Sequence, residues 1–214
     1  MSSDLKLTVL IPTYNRSSRL NRSLPAYLKN KRKDIEFFIV DNCSPDDTEK
    51  TVKKWMKKDR RIRYFKQYTN VGANRSLFIG MLLSKAPLVM IMPDDDYMTS
   101  GFVDAVIDKF ERYPEISLVH SAMRSQTAPV SEDNSAKYPK GKDALFRFFM
   151  LGGAIPGLTF RKSKLDFNLW KLDNRMYPQV LAGCDICLRS DIYVLENAPE
   201  YIVTGTDDNA VQMT

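Results

Sequence analysis

The sequence is poor in the residues that stabilise small secreted domains and lacks segments that cross membranes. Only 3 cysteines occur among 214 residues, too few for a disulfide framework, which is typical of a protein of the reducing cytoplasm. There is no run of 18 or more apolar residues, so no segment is predicted to span a bilayer. The opening MSSDLKLTVLIPTYN lacks the basic head and long apolar stretch of a secretory signal. These absences predict a cytoplasmic protein.

Metal and redox motifs built on cysteine and histidine are also scarce. Cys184 and Cys187 have C-x-x-C spacing, but a zinc site needs a second ligand pair, which Cys43 and the single histidine, His120, do not supply convincingly. A redox motif needs a thioredoxin-like context, which is missing. We therefore expect buried thiols on a helix, and a packed or capping role for His120.

The net charge of +6 is modest and unevenly distributed. Much of the basic charge lies between Lys29 and Lys66, where solvated helix faces and turns explain it most simply. Zinc-finger spacing is absent, as is any basic motif interleaved with aromatic residues, so we expect no nucleic-acid partner. The basic surface would allow loose, peripheral contact with the inner face of the cell membrane.

Apolar runs alternate with helical patterns through the first half of the chain. The predicted strands are 7–11, 35–40, 62–68, 88–92 and 116–120. The predicted helices begin near Ser17 or Ser18, at Ser44 as N-cap, after Gly72 and near Ser100. Continuously apolar strands separated by helices indicate a parallel sheet covered on both faces. The sequence therefore predicts a doubly wound α/β fold.

The second half of the chain is less regular. Residues 124–142 lack periodicity and are predicted to form a long loop. LFRFFML and QVLAGCDICLR are predicted to be helices, and short strands are expected in GLTFRKS, IYVL and YIVTG. No internal repeat divides the chain, which favours one domain over residues 1–214.

Polar residues follow each of the first four predicted strands. They are Pro12-Thr13-Tyr14-Asn15-Arg16, Asp41-Asn42, Asn70-Val71-Gly72 and Asp94-Asp95-Asp96. In open parallel sheets, ligands bind outside the carboxyl ends of the strands. We therefore expect the four segments to converge on one binding site.

The three consecutive acids come directly after the apolar run 88–92. In an extended chain Asp94 and Asp96 would lie on one side, about 6.5–7 Å apart, with Asp95 turned away. Two carboxylates without a basic neighbour suit Mg²⁺ or Mn²⁺, which completes its shell with substrate phosphate and water. Arg75 lies in the first turn of the predicted helix after Gly72, where it could face phosphate or be solvated.

Four segments between residues 7 and 110 resemble the family 2 glycosyltransferases, inverting enzymes with the GT-A fold. The segments are TVLIPTYNR (Thr8–Arg16), IVDNCSPDDT (Ile39–Thr48), NVGANRSLFIG (Asn70–Gly80) and IMPDDDY (Ile91–Tyr97). They occur in the family's order and spacing, and the last resembles its Asp-x-Asp motif. The resemblance is weak beyond about residue 165. It implies a nucleotide-binding half over about 1–120 and an acceptor-side half over about 121–214, with a possible continuation into a longer chain.

The resemblance also implies roles for individual residues. Thr13, Tyr14 and Asp41 would hold the base of a nucleotide diphosphate sugar, and Arg75 would order its nucleotide end. Asp94 would bond the ribose or donor sugar, and Asp96 would ligate Mn²⁺ or Mg²⁺. The other implied donor contacts are Pro12, Arg16, Asn70, Gly72 and Asp95. A carboxylate base would then deprotonate the hydroxyl of a glycan or lipid-linked acceptor, which attacks the anomeric carbon from the opposite face.

The catalytic base departs from the family pattern. Relatives usually place a Glu-Asp pair at a helix start in this region, where Met176-Tyr177-Pro178-Gln179 stands here. Asp173 precedes that point and Asp185 follows it. If the helix begins near Pro178, Asp185 lies about 10 Å along it, far for a base, whereas a start near Gly183 would place it well. Both candidates stay open.

Two other functions compete with sugar transfer. A nucleotidyltransferase usually grips a triphosphate with a glycine-rich first loop, but IPTYNRSSR contains no glycine. A non-catalytic domain that binds nucleotide sugars or glycans would explain the missing Glu-Asp pair. The sequence does not identify the donor, the acceptor or the oligomeric state.

Overall fold

A computed structural model describes residues 5–124, 132–152, 154–169, 177–198 and 202–203. Its strands are β1 Leu7–Thr13, β2 Ile35–Asp41, β3 Ile62–Lys66, β4 Leu88–Ile91, β5 Tyr97–Met98, β6 Ile116–Ser121, β7 Met123–Arg124, β8 Ala136–Tyr138, β9 Leu158–Arg161, β10 Asp191–Leu195 and β11 Ile202–Val203. Its helices are α1 Ser17–Tyr27, α2 Thr48–Met56, α3 Ala73–Leu83, α4 Phe102–Arg112, α5 Lys142–Met150 and α6 Pro178–Arg189. A short 3-10 helix spans Lys162–Lys164.

Eight strands form the main sheet in the order β3-β2-β1-β4-β9-β6-β10-β8. β1 pairs in parallel with β2 and β4, and β2 pairs in parallel with β3. β9 runs antiparallel between β4 and β6, and β8 is antiparallel to β10. β5, β11 and β7 form a second, small sheet. The carboxyl ends of β1 to β4 therefore lie at one edge of the main sheet.

Buried apolar residues cover both faces of this sheet. Alternate residues of β1 point to opposite sides: Val9 and Ile11 pack in the layer that includes residues of α1, α2 and α4, whereas Leu10 packs in the layer with α3, α5 and α6. Gly80 of α3 sits so close to the Leu10 side chain that an added Cβ would lie 2.5 Å from it. Two covered faces confirm the predicted doubly wound α/β fold.

β1 is longer than predicted, because it continues through Pro12 to Thr13. The carbonyl of Leu10 accepts from Met92 on the β4 side, and Pro12, two residues on, presents its backbone to the same side. The β1–β4 pairing ends at Leu10 and Ile91, so the missing N–H of Pro12 costs no ladder hydrogen bond.

Two local predictions are wrong. Ser44 is not an N-cap, because α2 begins at Thr48 and the Ser44 hydroxyl accepts instead from the Asn15 N–H at 2.9 Å. The segment 124–142 is not one long loop, because β8 lies within it and pairs with β10. Antiparallel pairing with β10 stabilises Ala136–Tyr138 as a strand, although the sequence has no alternating apolar pattern there.

Both cysteines of the C-x-x-C pair lie on α6, and His120 lies on β6. Cys187 is buried on α6, and burial raises its pKa to about 12, which keeps it a neutral thiol. Cys184 is half-buried and its pKa is also raised by burial. His120 is buried against the ring of Phe148, and desolvation lowers its pKa to about 4. His120 is therefore the packed residue that the sequence predicted.

Candidate functional site at the carboxyl edge of the sheet

A cavity of about 460 Å³ opens at the carboxyl edge of the main sheet, and we call it the central cavity. It is lined by Pro12, Thr13, Tyr14, Arg16, Asn42, Asn70, Gly72, Ala73, Asn74, Ser76, Leu77, Asp94, Ile155, Tyr177 and Gln179. These residues come from the loops after β1, β2, β3 and β4, from α3, from the segment before β9 and from the start of α6. The four predicted strand ends thus converge on one space.

Most of the predicted donor contacts line this cavity, and a few do not. Pro12, Thr13, Tyr14, Arg16, Asn70, Gly72 and Asp94 are on its wall. Asp41, Arg75, Asp95 and Asp96 are not among its lining residues. Asp173 lies outside the described residues.

Asp94 is a buried carboxylate held by the loop after β1. Its Oδ2 accepts from the Thr13 hydroxyl at 2.6 Å, and its Oδ1 accepts from the Arg16 guanidinium at 3.2 Å. Burial raises the pKa of Asp94, and the Thr13 hydrogen bond and the Arg16 charge oppose that rise. The expectation that the acids have no basic neighbour is therefore wrong, because Arg16 lies directly beside Asp94.

Asp95 faces the arginines of α1 and the loop before it. Its Oδ2 accepts from Arg16 at 2.7 Å and also pairs with Arg19. The same Arg16 nitrogen thus contacts the first two carboxylates of the triplet, so the prediction that Asp95 is turned away from Asp94 is wrong. Because these guanidinium groups are partly exposed, they can exchange partners at small cost when a ligand arrives.

Side chains of α1 fix the backbone of the acidic triplet. The Ser23 hydroxyl donates to the Asp94 carbonyl at 2.8 Å. The Tyr27 hydroxyl lies 2.6 Å from the Pro93 carbonyl and 2.7 Å from that of Asp96, so it closes the turn from inside. Tyr27 is fully buried, and burial raises its pKa well above the usual value, so it remains a donor. These hydrogen bonds fix the backbone of the turn that carries Asp96, which is 8% exposed.

Asp41 organises the loop after β2 from a fully buried position. One carboxylate oxygen accepts from the Ser44 N–H at 2.8 Å, and the other accepts from the Tyr64 hydroxyl at 2.5 Å. Burial, followed by the hydrogen bond to Asp41, raises the pKa of Tyr64, which stays protonated. Asn42, the next residue, is the one that reaches the cavity wall.

Asn42 and Asn70 join the loops after β2 and β3. The Asn42 amide donates to the Asn70 Oδ1 at 2.8 Å and accepts from the Val71 N–H at 2.9 Å. Asn70 also accepts from the Gly72 N–H at 2.9 Å. Gly72 has a φ of 85°, which favours glycine, and α3 begins directly after it. The amino-terminal end of α3 is thereby turned toward the central cavity.

The start of α6 decides where the candidate base Asp185 lies. The helix begins at Pro178, so Asp185 is seven residues along it, roughly 10 Å from its start. Its carboxylate forms a two-pronged ion pair with Arg189 on the same helix. Tyr177 and Gln179, rather than an acid, supply the wall of the cavity at this point.

The acidic turn is the segment that the sequence predicted to bind a metal ion. Among the described residues, no group of three or more His, Cys, Asp or Glu side chains could hold a metal ion. Mg²⁺ and Mn²⁺ commonly use one or two carboxylates and take their remaining ligands from substrate phosphate and water. By chemical type, Asp94 and Asp96 match that incomplete donor set, but Asp94 is already engaged by Thr13 and Arg16, and Asp96 is not among the residues that line the central cavity.

A second, more open groove of about 1190 Å³ lies between α1 and α2. We call it the lysine groove, after Lys50, Lys53, Lys54, Lys57 and Lys66 on its wall. Lys53 and Lys66 are already paired with Glu49. The groove is lined by none of the four predicted segments 12–16, 41–42, 70–72 and 94–96, which is why we place the functional site in the central cavity.

The model of the family described as Glycosyl transferase family 2 matches residues 8–167. The GalNAc(5)-diNAcBac-PP-undecaprenol beta-1,3-glucosyltransferase of Campylobacter jejuni is 32% identical over 105 residues, which cover 49% of this chain and 34% of that protein. Glycosyltransferase GlyA of Streptococcus pneumoniae is 27% identical over 53% of this chain and 16% of its own length. The chain therefore spans about a third or less of the length of these relatives.

Solved structures with the same fold cover nearly the whole chain. S. aureus TarS 1-349 in complex with UDP-GlcNAc superposes with a TM-score of 0.71 at 19% identity, over 98% of this chain and 61% of that one. The mannosyltransferase PcManGT of Pyrobaculum calidifontis, in complex with GDP-Man and Mn²⁺, gives 0.65 at 15% identity, over 96% and 58%. The GT-A fold implied by the sequence resemblance is confirmed.

Proposed function

The chain belongs to glycosyl transferase family 2, and on that premise we propose that it transfers a sugar from a nucleotide diphosphate sugar to a glycan or lipid-linked saccharide, with inversion and with the help of a divalent metal ion. The observation that carries the proposal is the convergence of the four strand-end segments on the central cavity. Such a site matches the general position of ligands in open parallel sheets.

The chain's own residues would divide the donor between them. Tyr14, 43% exposed on the cavity wall, offers an aromatic face to the base, and Thr13 lies beside it. Asp41 would act through the loop that it fixes, with Asn42 at the wall. The amino-terminal end of α3, with Arg75 in its first turn, would face the diphosphate, because helix N–H groups favour anions.

The acidic turn would organise the leaving group. Asp94 would accept from a ribose or sugar hydroxyl, held in place by Thr13. Asp96 would hold a Mn²⁺ or Mg²⁺ ion, whose charge offsets the negative charge that develops on the departing nucleoside diphosphate. Arg16, which contacts Asp94 and Asp95, would turn toward the diphosphate once these carboxylates have other partners.

A carboxylate must still remove the proton of the acceptor hydroxyl. We propose Asp173 for this role, with Asp185 as the alternative. Asp173 is four residues before Tyr177, so covalent geometry keeps their Cα atoms within about 14 Å of each other. Asp185 is occupied by Arg189 and points from a later turn of α6.

One observation favours a second candidate function, a non-catalytic domain that binds nucleotide sugars or glycans. Among the described residues that line the central cavity, Asp94 is the only acid. Asp94 is already engaged by Thr13 and Arg16, and Gln179 cannot act as a base. Turnover in the presence of a nucleotide sugar distinguishes the two functions.

The acceptor proposal draws on the Campylobacter relative, whose name includes an undecaprenol-linked saccharide. A lipid-linked acceptor would require a cytoplasmic enzyme to contact the inner face of the membrane, for which the basic surface between Lys29 and Lys66 is suited.

Within the described segments, no helix combines the length and apolar character needed to cross a bilayer.

A nucleotide panel tests the proposal. UDP, GDP, dTDP and CMP are each added with and without Mn²⁺, and the melting temperature is measured. We expect one nucleoside diphosphate with Mn²⁺ to stabilise the protein by about 2.7 kcal/mol at 100 times its Kd, or about 5–10 °C. The shift should be the same in Lys54→Gln, which alters only the lysine groove. If no nucleotide and metal combination shifts the melting temperature, the proposal fails.

A further inference from the structure

Gln179 is a buried amide with an unused oxygen on the wall of the central cavity. The residue is 3% exposed, and it lies in the first turn of α6. Its Oε1 is closed to solvent and has no hydrogen-bond partner among the described residues. Nevertheless, the residue lines the central cavity together with Tyr177 and Ile155. A buried polar group without a partner is uncommon in native proteins, so its place in the cavity wall calls for a physical reason.

A ligand with a hydrogen-bond donor would supply that reason. Leaving an amide oxygen buried and unpaired carries a desolvation penalty, which is recovered when a donor reaches it. The terminal torsion of a glutamine side chain is soft, so the amide can turn its oxygen toward the cavity without leaving its rotamer. Phosphate oxygens are acceptors when ionised and offer no donor. Hydroxyl groups of a sugar are the donors that the proposed substrates would bring to this wall.

Tyr177 adds an aromatic face next to this amide. It is the residue before α6, and 66% of its surface is exposed although it lines the cavity. A pyranose ring presents C–H groups on one face and hydroxyl groups at its edge. An exposed aromatic ring can pack against the C–H face, and an amide oxygen can accept a hydrogen bond from a hydroxyl at the edge. Small-molecule sites typically combine an apolar wall with a few polar groups in this way.

We propose that Tyr177 and Gln179 form a sugar subsite, in which the Tyr177 ring packs against the C–H face of a pyranose and the Gln179 amide oxygen accepts a hydrogen bond from one of its hydroxyl groups. This inference rests on the proposed function, since it names the part of the substrate that Tyr177 and Gln179 bind in the same cavity. The sugar can be that of the donor or that of the acceptor, and the experiment distinguishes the two sources.

The test compares Gln179→Met, which keeps the side-chain length and removes the acceptor, with Gln179→Glu, which retains an accepting oxygen. Three probes are used on the intact chain: UDP with Mn²⁺, UDP-GlcNAc with Mn²⁺, and methyl glycosides of glucose, galactose, N-acetylglucosamine and N-acetylgalactosamine by saturation-transfer NMR. The glycosides are measured with and without UDP. Tyr177→Ala is compared with Phe149→Ala, which removes another exposed aromatic ring, on α5 and outside the cavity wall.

If the subsite binds the donor sugar, Gln179→Met and Tyr177→Ala should each lower the affinity for UDP-GlcNAc about tenfold, equivalent to about 1.4 kcal/mol. The affinity for UDP should change less than twofold. For an acceptor-sugar subsite, the same variants should lose the glycoside signals instead. Gln179→Glu should retain at least part of the affinity that Gln179→Met loses. Phe149→Ala should bind every probe as the wild type does.

Unchanged affinity for UDP-GlcNAc and unchanged glycoside signals in Gln179→Met would overturn the subsite. Equal loss of UDP, UDP-GlcNAc and glycosides, with a lowered melting temperature in both Gln179 variants, would also overturn it, since the residue would then be structural. If the wild-type chain binds glycosides but no nucleotide, the proposed donor fails while the subsite is still tested by the glycoside signals alone.

Discussion

Asp96→Asn is expected to weaken the Mn²⁺-dependent binding of the preferred nucleoside diphosphate by at least about 100-fold. Asparagine keeps the size of the side chain and removes its charge, and the loss of a direct ligand should exceed the 10- to 100-fold that outer-shell partners typically contribute. The backbone of the turn should be retained, because Ser23 and Tyr27 donate to the carbonyls of Asp94 and Asp96, and the substitution keeps both contacts. Isothermal titration of the nucleotide with and without Mn²⁺ measures the effect.

Asp108→Asn is the matched control, since Asp108 is a half-exposed carboxylate on α4 that pairs with Lys109 and Arg112. It should bind nucleotide and metal as the wild type does. Retention of the full Mn²⁺-dependent affinity in Asp96→Asn would show that another group holds the ion. A loss in Asp96→Asn that is equally large without Mn²⁺ would show that Asp96 contacts the nucleotide directly.

Asp173→Asn is expected to lower the turnover of the donor by about 100- to 10,000-fold, the range that a general base contributes. Its affinity for nucleoside diphosphate and Mn²⁺ should stay within twofold of the wild type, because the base acts on the acceptor hydroxyl or on water. Because the acceptor is unidentified, turnover is measured as hydrolysis of the donor sugar nucleotide, in which water replaces the acceptor hydroxyl.

Asp185→Asn is the counterpart of this variant and should keep its turnover within about twofold. Its carboxylate is bound to Arg189 four residues along α6, and breaking such a pair on a helix surface costs about 0.3–0.5 kcal/mol. Loss of turnover in Asp185→Asn with normal turnover in Asp173→Asn would exchange the two assignments. Full turnover in both variants would reject both residues as the base.

The sequence predicted the parts of the site that depend on strand order. The predicted strands 7–11, 35–40 and 88–92 end within two residues of the observed strand ends at Thr13, Asp41 and Ile91. The rule that parallel strands place their carboxyl ends together was then enough to predict the convergence of the segments that follow them. Asn42 and Asn70, which join two of the loops, could be placed near the site for the same reason. Strand ends are local features, so a single sequence can show them.

Contacts between distant segments could not be read from the sequence. Arg16 and Asp94 are 78 residues apart, and nothing in the periodicity pairs them. Tyr27 is a buried residue of α1, and the sequence gives no sign that its hydroxyl closes the acidic turn. The sequence identifies Gln179 only as one of four residues that stand where relatives have a Glu-Asp pair. That its side-chain oxygen is unpaired at the wall of the central cavity depends on the folded structure. These features depend on packing and not on local propensity.

The central claim is that the acidic turn holds a divalent ion which binds the diphosphate of a donor in the central cavity. Anomalous scattering from crystals grown with Mn²⁺ and the nucleoside diphosphate identified by the panel tests it most directly. We predict one Mn²⁺ peak within coordination distance of the Asp96 carboxylate and of both phosphates, with the nucleobase beside the Tyr14 ring. Nucleotide bound in the lysine groove, or a Mn²⁺ peak that lies away from Asp96, would contradict the account.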